Sequence, residues 1–204
     1  ALTHALSICG YLFLDPEDEV ILPDLYWGNY KLVFAHGHDA NLKTYDTFAG
    51  GGYNVEGLKQ ALAEGGTGKK VVVLNFPNNP TGYTCTLAEA EAIRDTLVAS
   101  AQAGNNIVVL IDDAYFSLVY EDGVVMESVF GLLADAHPGI FAVKIDGATK
   151  EDYAWGLRVG FITYAFAGSD ADSMKALEDK TAGAVRGNIS NAPHLSQSLL
   201  LQVY

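Results

Sequence analysis

Residues 140–162 read IFAVKIDGATKEDYAWGLRVGFI. The largely apolar run 141–145 reads as a buried strand. It stops at Asp146-Gly147-Ala148-Thr149, a turn of small and polar residues, and then presents a single lysine, Lys150. Eight residues on, Arg158 stands in Gly-Leu-Arg-Val-Gly, ahead of a second apolar run at 161–164. One lysine after a strand fixes little, because most lysines are simply solvated. It acquires meaning if other strand ends bring complementary groups to the same edge of a sheet.

The rest of the chain is organised to do that. Residues 1–14 are apolar at helical spacing and predict a helix packed on a sheet, broken by Asp15-Pro16-Glu17-Asp18. Residues 20–22 are a short buried strand, followed by an aromatic cluster at 25–30 that contains Trp27 and leads into a short helix ending at Phe34. Residues 41–45 predict another strand, and 55–63 a helix with a weak apolar face. The run Val71-Val72-Val73-Leu74-Asn75 is continuously apolar until its last residue, as in parallel strands covered on both faces. Two prolines and two asparagines at 76–82 then forbid strand or helix. Thr86 predicts an N-cap for a helix over 87–103, with Glu89 at the capping-box position. Residues 107–111 form the next buried strand, ending in Asp112-Asp113-Ala114-Tyr115. Helices are expected at 126–136, at 170–185 and from His194 onward, with a loop at 186–193.

Strands alternating with helices predict an α/β fold: a three-layer αβα arrangement, mostly parallel, with helices on both faces. In such sheets ligands bind outside the carboxyl ends of the strands. Trp27, Asn79, Asp112 and Lys150 all fall just after strand ends.

Bulk composition narrows the function. The 204 residues are half hydrophobic and 18% charged, which is globular. The net charge is 12 − 25 = −13, which argues against nucleic acid or an anionic membrane surface as partner. Cys9 and Cys85 lie far apart without cysteine neighbours, so neither a disulfide framework nor a cysteine metal site is expected, and a reducing, cytoplasmic location fits. Ala1 to Leu14 lacks a basic leader, and the chain opens inside an expected helix. We therefore expect one large domain truncated at both ends, covering residues 1–204.

One glycine-rich loop, Glu64-Gly65-Gly66-Thr67-Gly68 before Lys69, imitates a phosphate-binding P-loop. It fails the pattern. Position 63 is alanine where the first glycine is needed, Lys70 stands where Ser or Thr should be, and the loop precedes a strand rather than following one.

Five segments together resemble the fold-type-I, pyridoxal-phosphate-dependent aminotransferases of class I/II over nearly the whole chain. They are Trp27 in Tyr-Trp-Gly-Asn-Tyr, Asn78-Asn79-Pro80-Thr81-Gly82, Asp112-Asp113-Ala114-Tyr115, Lys150 with Arg158, and Arg186 before Ser190-Asn191-Ala192-Pro193. The resemblance implies the large domain of an enzyme that moves an amino group between an amino acid and a 2-oxo acid. It implies pyridoxal 5'-phosphate as cofactor and a homodimer as the working unit.

It also implies roles. Lys150 forms the Schiff base with the cofactor aldehyde and later carries the α-carbon proton. Asp112 faces the pyridine nitrogen and keeps it protonated, with Asp113 the competing choice. Asn79 and Tyr115 donate to the phenolate oxygen. Trp27 stacks on the ring, and Arg158 clamps the phosphate. Arg186 matches a residue that, in aspartate-type and some aromatic members, reads a distal substrate carboxylate across the dimer interface.

The chain departs from the family where a serine often stands three residues before the lysine. Gly147 is there instead, and Thr149 is the substitute phosphate contact. The family's upstream phosphate loop and its C-terminal small domain are not in this chain. Two other readings share these motifs: a lyase or decarboxylase on the same fold, and a non-enzymatic aminotransferase-like sensing domain of a regulator.

Overall fold

The computed structural model describes residues 1–203. Its centre is a six-stranded sheet in the order β2-β1-β5-β6-β7-β8. The strands are β1 (Glu19–Pro23), β2 (Asn41–Tyr45), β5 (Lys69–Leu74), β6 (Asn106–Asp112), β7 (Ile140–Asp146) and β8 (Phe161–Phe166). A separate two-stranded hairpin, β3 (Phe48–Ala49) with β4 (Gly52–Tyr53), lies outside it. The first five strands of the main sheet are parallel; only β8 runs antiparallel to β7.

Alternation along each strand splits the core in two. Ile21, Val72, Leu74, Val109 and Ile111 face one side, where α2 (Val55–Ala63), α3 (Leu87–Gln102) and α4 (Phe130–Leu133) cover them. Val20, Leu22, Val71, Val73 and Leu110 face the other, under α1 (Leu2–Phe13) and the aromatic pair Tyr30 and Phe34. The expected three layers follow from period-two side chains on a sheet covered on both faces. Each fully buried Leu or Ile here contributes about 1.5–3 kcal/mol of transfer free energy.

Local signals explain the helices. In α1 the buried residues Leu2, Ala5, Leu6 and Cys9 recur at steps of three and four. The capping box of α3 is present as expected: Thr86 accepts from Glu89 N–H, and the Glu89 carboxylate accepts from Thr86 N–H. Glu89 also accepts from Tyr53 N–H and the Tyr83 hydroxyl, so one carboxylate ties α3 to the β3–β4 hairpin.

Two expectations change. The helix over 126–136 shrinks to Phe130–Leu133. The loop expected at 186–193 begins later, because α5 (Ala171–Ile189) carries Arg186 in its last turn. The last helix, α6, spans His194–Leu201; its expected end at Tyr204 lies outside the described residues. Among the described residues, no helix is long and apolar enough to cross a membrane.

Chain order places the site. From β1 the chain moves outward to β2, then returns past β1 to β5 and on to β6 and β7. The direction reverses between β1 and β5, and the carboxyl ends beside such a switch point are where ligands bind in open α/β sheets.

Candidate active site

Seven of the residues singled out in the sequence line one cavity of ≈ 110 Å³ at that edge: Trp27, Asn79, Asp112, Tyr115, Thr149, Lys150 and Arg158. Six of them come from four strand ends or the turns that follow, and Arg158 stands ahead of β8. Trp27 follows β1, Asn79 follows β5, Asp112 ends β6 with Tyr115 just beyond it, and Thr149 and Lys150 follow β7.

Asp112 is the most constrained of these groups. It is buried, with Oδ2 accepting from the Tyr30 hydroxyl at 2.6 Å and Oδ1 accepting from Ala114 N–H at 3.1 Å. Burial pushes its carboxyl above the usual range, while the Tyr30 hydroxyl, Ala114 N–H and the charge of Lys150 pull it back. Burial and the facing carboxylate hold Tyr30 well above an ordinary phenol. Asp113 does not line this cavity. It lies 3.8 Å from Lys144 Nζ, whose second carboxylate partner is Asp146. Of the two neighbouring aspartates, only Asp112 meets Lys150 across the cavity.

Lys150 Nζ stands over the Tyr115 ring, 5.1 Å from its centroid. The Asn79 carboxamide donates to the Tyr115 hydroxyl at 3.4 Å. Trp27 meets Tyr30 edge-on at 5.7 Å between centroids, which sets the indole against the ring that holds Asp112.

A second group of residues suits an anion. Thr149 Oγ1 is buried with no hydrogen-bond partner, which is rare for a buried hydroxyl. Arg158, at a left-handed φ of 57°, follows the 3₁₀ turn Trp155–Leu157 and donates from Nη1 to Trp155 O at 2.7 Å. Leu2 and Thr3, in the first turn of α1, line the cavity too. Backbone N–H groups in the first turn of a helix favour negative charge. Ala1 N lies 3.0 Å from Arg158 O, so the first turn of α1 stands directly beside Arg158.

Gly147 has a packing reason. A Cβ there would lie 2.6 Å from both Gly160 Cα and Val159 O, so no serine fits at this position without moving backbone. Arg186 is not brought to this cavity. It is exposed on α5, with Nη1 donating to Ser190 Oγ at 2.7 Å.

Three contributions to the site escaped the sequence reading, Tyr30 among them through its bond to Asp112. Tyr30 sits one helical turn after Trp27, a spacing that could have marked it as Trp27's companion. Asn75 was read only as the end of a strand; a carboxamide closing an apolar run was the available signal. The first turn of α1 offered none, since Leu2 and Thr3 carry no distinctive chemistry.

Against this geometry the comparisons with known proteins are decisive. The profile of the family described as "Aminotransferase class I and II" matches residues 2–203. The chain belongs to the class I and II aminotransferases. It is 28% identical to an aspartate aminotransferase of Geobacillus stearothermophilus over 98% of this chain and 46% of that one. It is 33% identical to a histidinol-phosphate aminotransferase of Halobacterium salinarum over 54% of this chain and 28% of the other. An aminotransferase structure from Anaerococcus prevotii superposes with a TM-score of 0.87 at 26% identity, covering 99% of this chain and 50% of that chain. The fold also matches a Thermus thermophilus aspartate aminotransferase variant, with a TM-score of 0.76 at 21% identity. The chain thus spans about half the length of the aspartate aminotransferases it matches.

Class I and II aminotransferases use pyridoxal phosphate. The cavity residues fit that group: a buried carboxylate for a ring nitrogen, a lysine for an aldehyde, and an unpartnered buried threonine hydroxyl beside an arginine and a helix start for a phosphate.

Proposed function

We propose that the protein carrying this chain is a pyridoxal-phosphate-dependent aminotransferase, and that residues 1–204 form its cofactor-binding large domain. Its substrates are an amino acid, dicarboxylic or aromatic, and a 2-oxo acid. The observation that supports this best is the meeting of Asp112 and Lys150, from the ends of adjacent strands, in one cavity.

When bound, the cofactor supplies an electron sink for charge that develops at the substrate α-carbon. Lys150 would hold the cofactor through its aldehyde, and its amine would move the α-carbon proton. Asp112 would hold a proton on the ring nitrogen, and the Tyr30 hydroxyl favours its ionised form against burial. Asn79 and Tyr115 bind the phenolate oxygen. Trp27 orients the ring, and Thr149 with Arg158 binds the phosphate.

We place the working unit as a homodimer in the cytoplasm, with Arg186 turned to the distal carboxylate of a substrate in the partner's site. Its position on α5, away from its own chain's cavity, is compatible with that role. The test is product analysis of the full-length protein with cofactor, aspartate and 2-oxoglutarate. Glutamate is expected. Release of pyruvate or ammonia without glutamate contradicts transfer and favours a lyase.

A further inference from the structure

Hydrogen bonding between β5 and β6 runs in register from Lys69↔Asn106 to Leu74↔Ile111 and stops there. It must stop, because Phe76-Pro77 turns the chain away and proline has no N–H to offer. The next residue on β6 is Asp112, whose carbonyl is left beyond the last rung. Asn75 supplies the missing donor from its side chain: Nδ2 donates to Asp112 O at 2.8 Å. The other end of the same carboxamide works on the turn, where Oδ1 accepts from Asn79 N–H at 2.8 Å. Asn75 is 6% exposed; its bond to Asp112 is buried and its bond to Asn79 is part-buried.

One planar group therefore ties the backbone of Asp112 to the backbone of Asn79. The two residues are far apart in sequence, and both present side chains to the cavity that holds Lys150. Among the described residues, no other side chain bonds to both. Removing it leaves a part-buried N–H on Asn79 and a buried C=O on Asp112 without this partner, each free to move.

We infer that Asn75 is a positioning residue for the cofactor site. It fixes the carboxamide of Asn79 relative to the carboxylate of Asp112, so that the phenolate oxygen and the ring nitrogen of one ring are met together. This rests on the cofactor reading above. Asn75 acts through its two neighbours, since the groups that give it direction are spent on backbone.

A double-mutant cycle on cofactor affinity tests this, in the full-length protein and with pyridoxal phosphate itself as probe. Asn79→Ala in the otherwise unchanged protein is expected to weaken binding about tenfold, the scale of one lost hydrogen bond. Asn75→Ala is expected to weaken it by a similar factor. In the Asn75→Ala background, Asn79→Ala should cost less than about threefold, because the carboxamide is already misplaced. Arg158→Ala should keep its full penalty in that background. A merely structural Asn75 would lower the melting temperature and leave the Asn79 and Arg158 penalties equally intact.

Additive penalties for Asn75 and Asn79 overturn the inference while leaving the cofactor reading standing. Failure of the unsubstituted protein to bind pyridoxal phosphate overturns the reading, and the inference with it. If Asn75→Ala does not fold, Asn75→Asp carries the test, since it keeps an oxygen for Asn79 N–H. It lacks the Nδ2 donor to Asp112 O, so the tie between the two residues is broken; the Asn79 penalty should again fall below about threefold, and a penalty that stays near tenfold overturns the inference.

Discussion

The Tyr30 hydroxyl donates to Asp112 Oδ2 at 2.6 Å, and both side chains are buried. The hydrogen bond favours the ionised carboxylate against the burial that opposes it. Tyr30→Phe removes the donor and leaves Ala114 N–H as the hydrogen bond still holding that carboxylate. Folding stability is expected to fall by about 1–3 kcal/mol. The carboxyl should then titrate higher, so the acid limb of cofactor affinity moves to higher pH. Binding titrations across a range of pH check this; an unmoved limb contradicts it.

Thr149→Val should act with opposite signs on the two states of the protein. Thr149 Oγ1 is buried and unpartnered, so replacing it by a methyl group is expected to stabilise the cofactor-free protein by roughly 1 kcal/mol. With cofactor, the lost bond to a charged phosphate should weaken affinity about tenfold or more. Thermal melts with and without pyridoxal phosphate read both effects. A drop in both melting temperatures would show that the hydroxyl has a structural partner instead.

Gly147→Ser introduces the residue that the family often has at this place. The added Cβ would stand 2.6 Å from Gly160 Cα and Val159 O, and both are backbone atoms that cannot rotate away. We expect a destabilisation of about 1–3 kcal/mol and no gain in cofactor affinity. Denaturant unfolding with a parallel binding titration checks this; tighter binding at unchanged stability contradicts it.

Asp113 gives the fold its own pH dependence. Burial pushes its carboxyl up to about 7, opposed by Ser128 and Lys144 and reinforced by Asp146 and Asp112. The unfolded chain loses this proton near 3.8. Between those values the folded state binds more protons than the unfolded one, so this residue makes stability fall as pH rises, by up to about 4 kcal/mol. Asp113→Asn should remove that fall and raise stability above neutral pH. Denaturant midpoints against pH decide; a variant that keeps the wild-type slope contradicts the assignment.

The fold was legible where one physical signal dominated. The apolar run at 71–74 could only be a doubly covered strand, and Thr86 with Glu89 announced α3 at its first residue. The 126–136 segment misled because its apolar residues serve a short helix, Phe130–Leu133, between turns. Arg186 fell in the loop expected at 186–193, yet α5 continues through Gly187 and Asn188 to Ile189. The hairpin Phe48–Ala49 with Gly52–Tyr53 is too short to leave a periodic trace. In the site, the residues that carry charge or a distinctive ring were readable one by one. Tyr30 and Asn75 were not, because their importance lies in contacts with a residue distant in sequence, Asp112 in both cases. Those contacts exist only once the sheet order is known.

Lys150 carries the central claim, and one measurement addresses it directly. The full-length protein is mixed with pyridoxal phosphate, reduced with borohydride, digested and mapped by mass spectrometry. The expected result is a pyridoxyl group on Lys150, and its loss in Lys150→Ala. An unmodified Lys150, or a pyridoxyl group confined to exposed lysines such as Lys59, would contradict it.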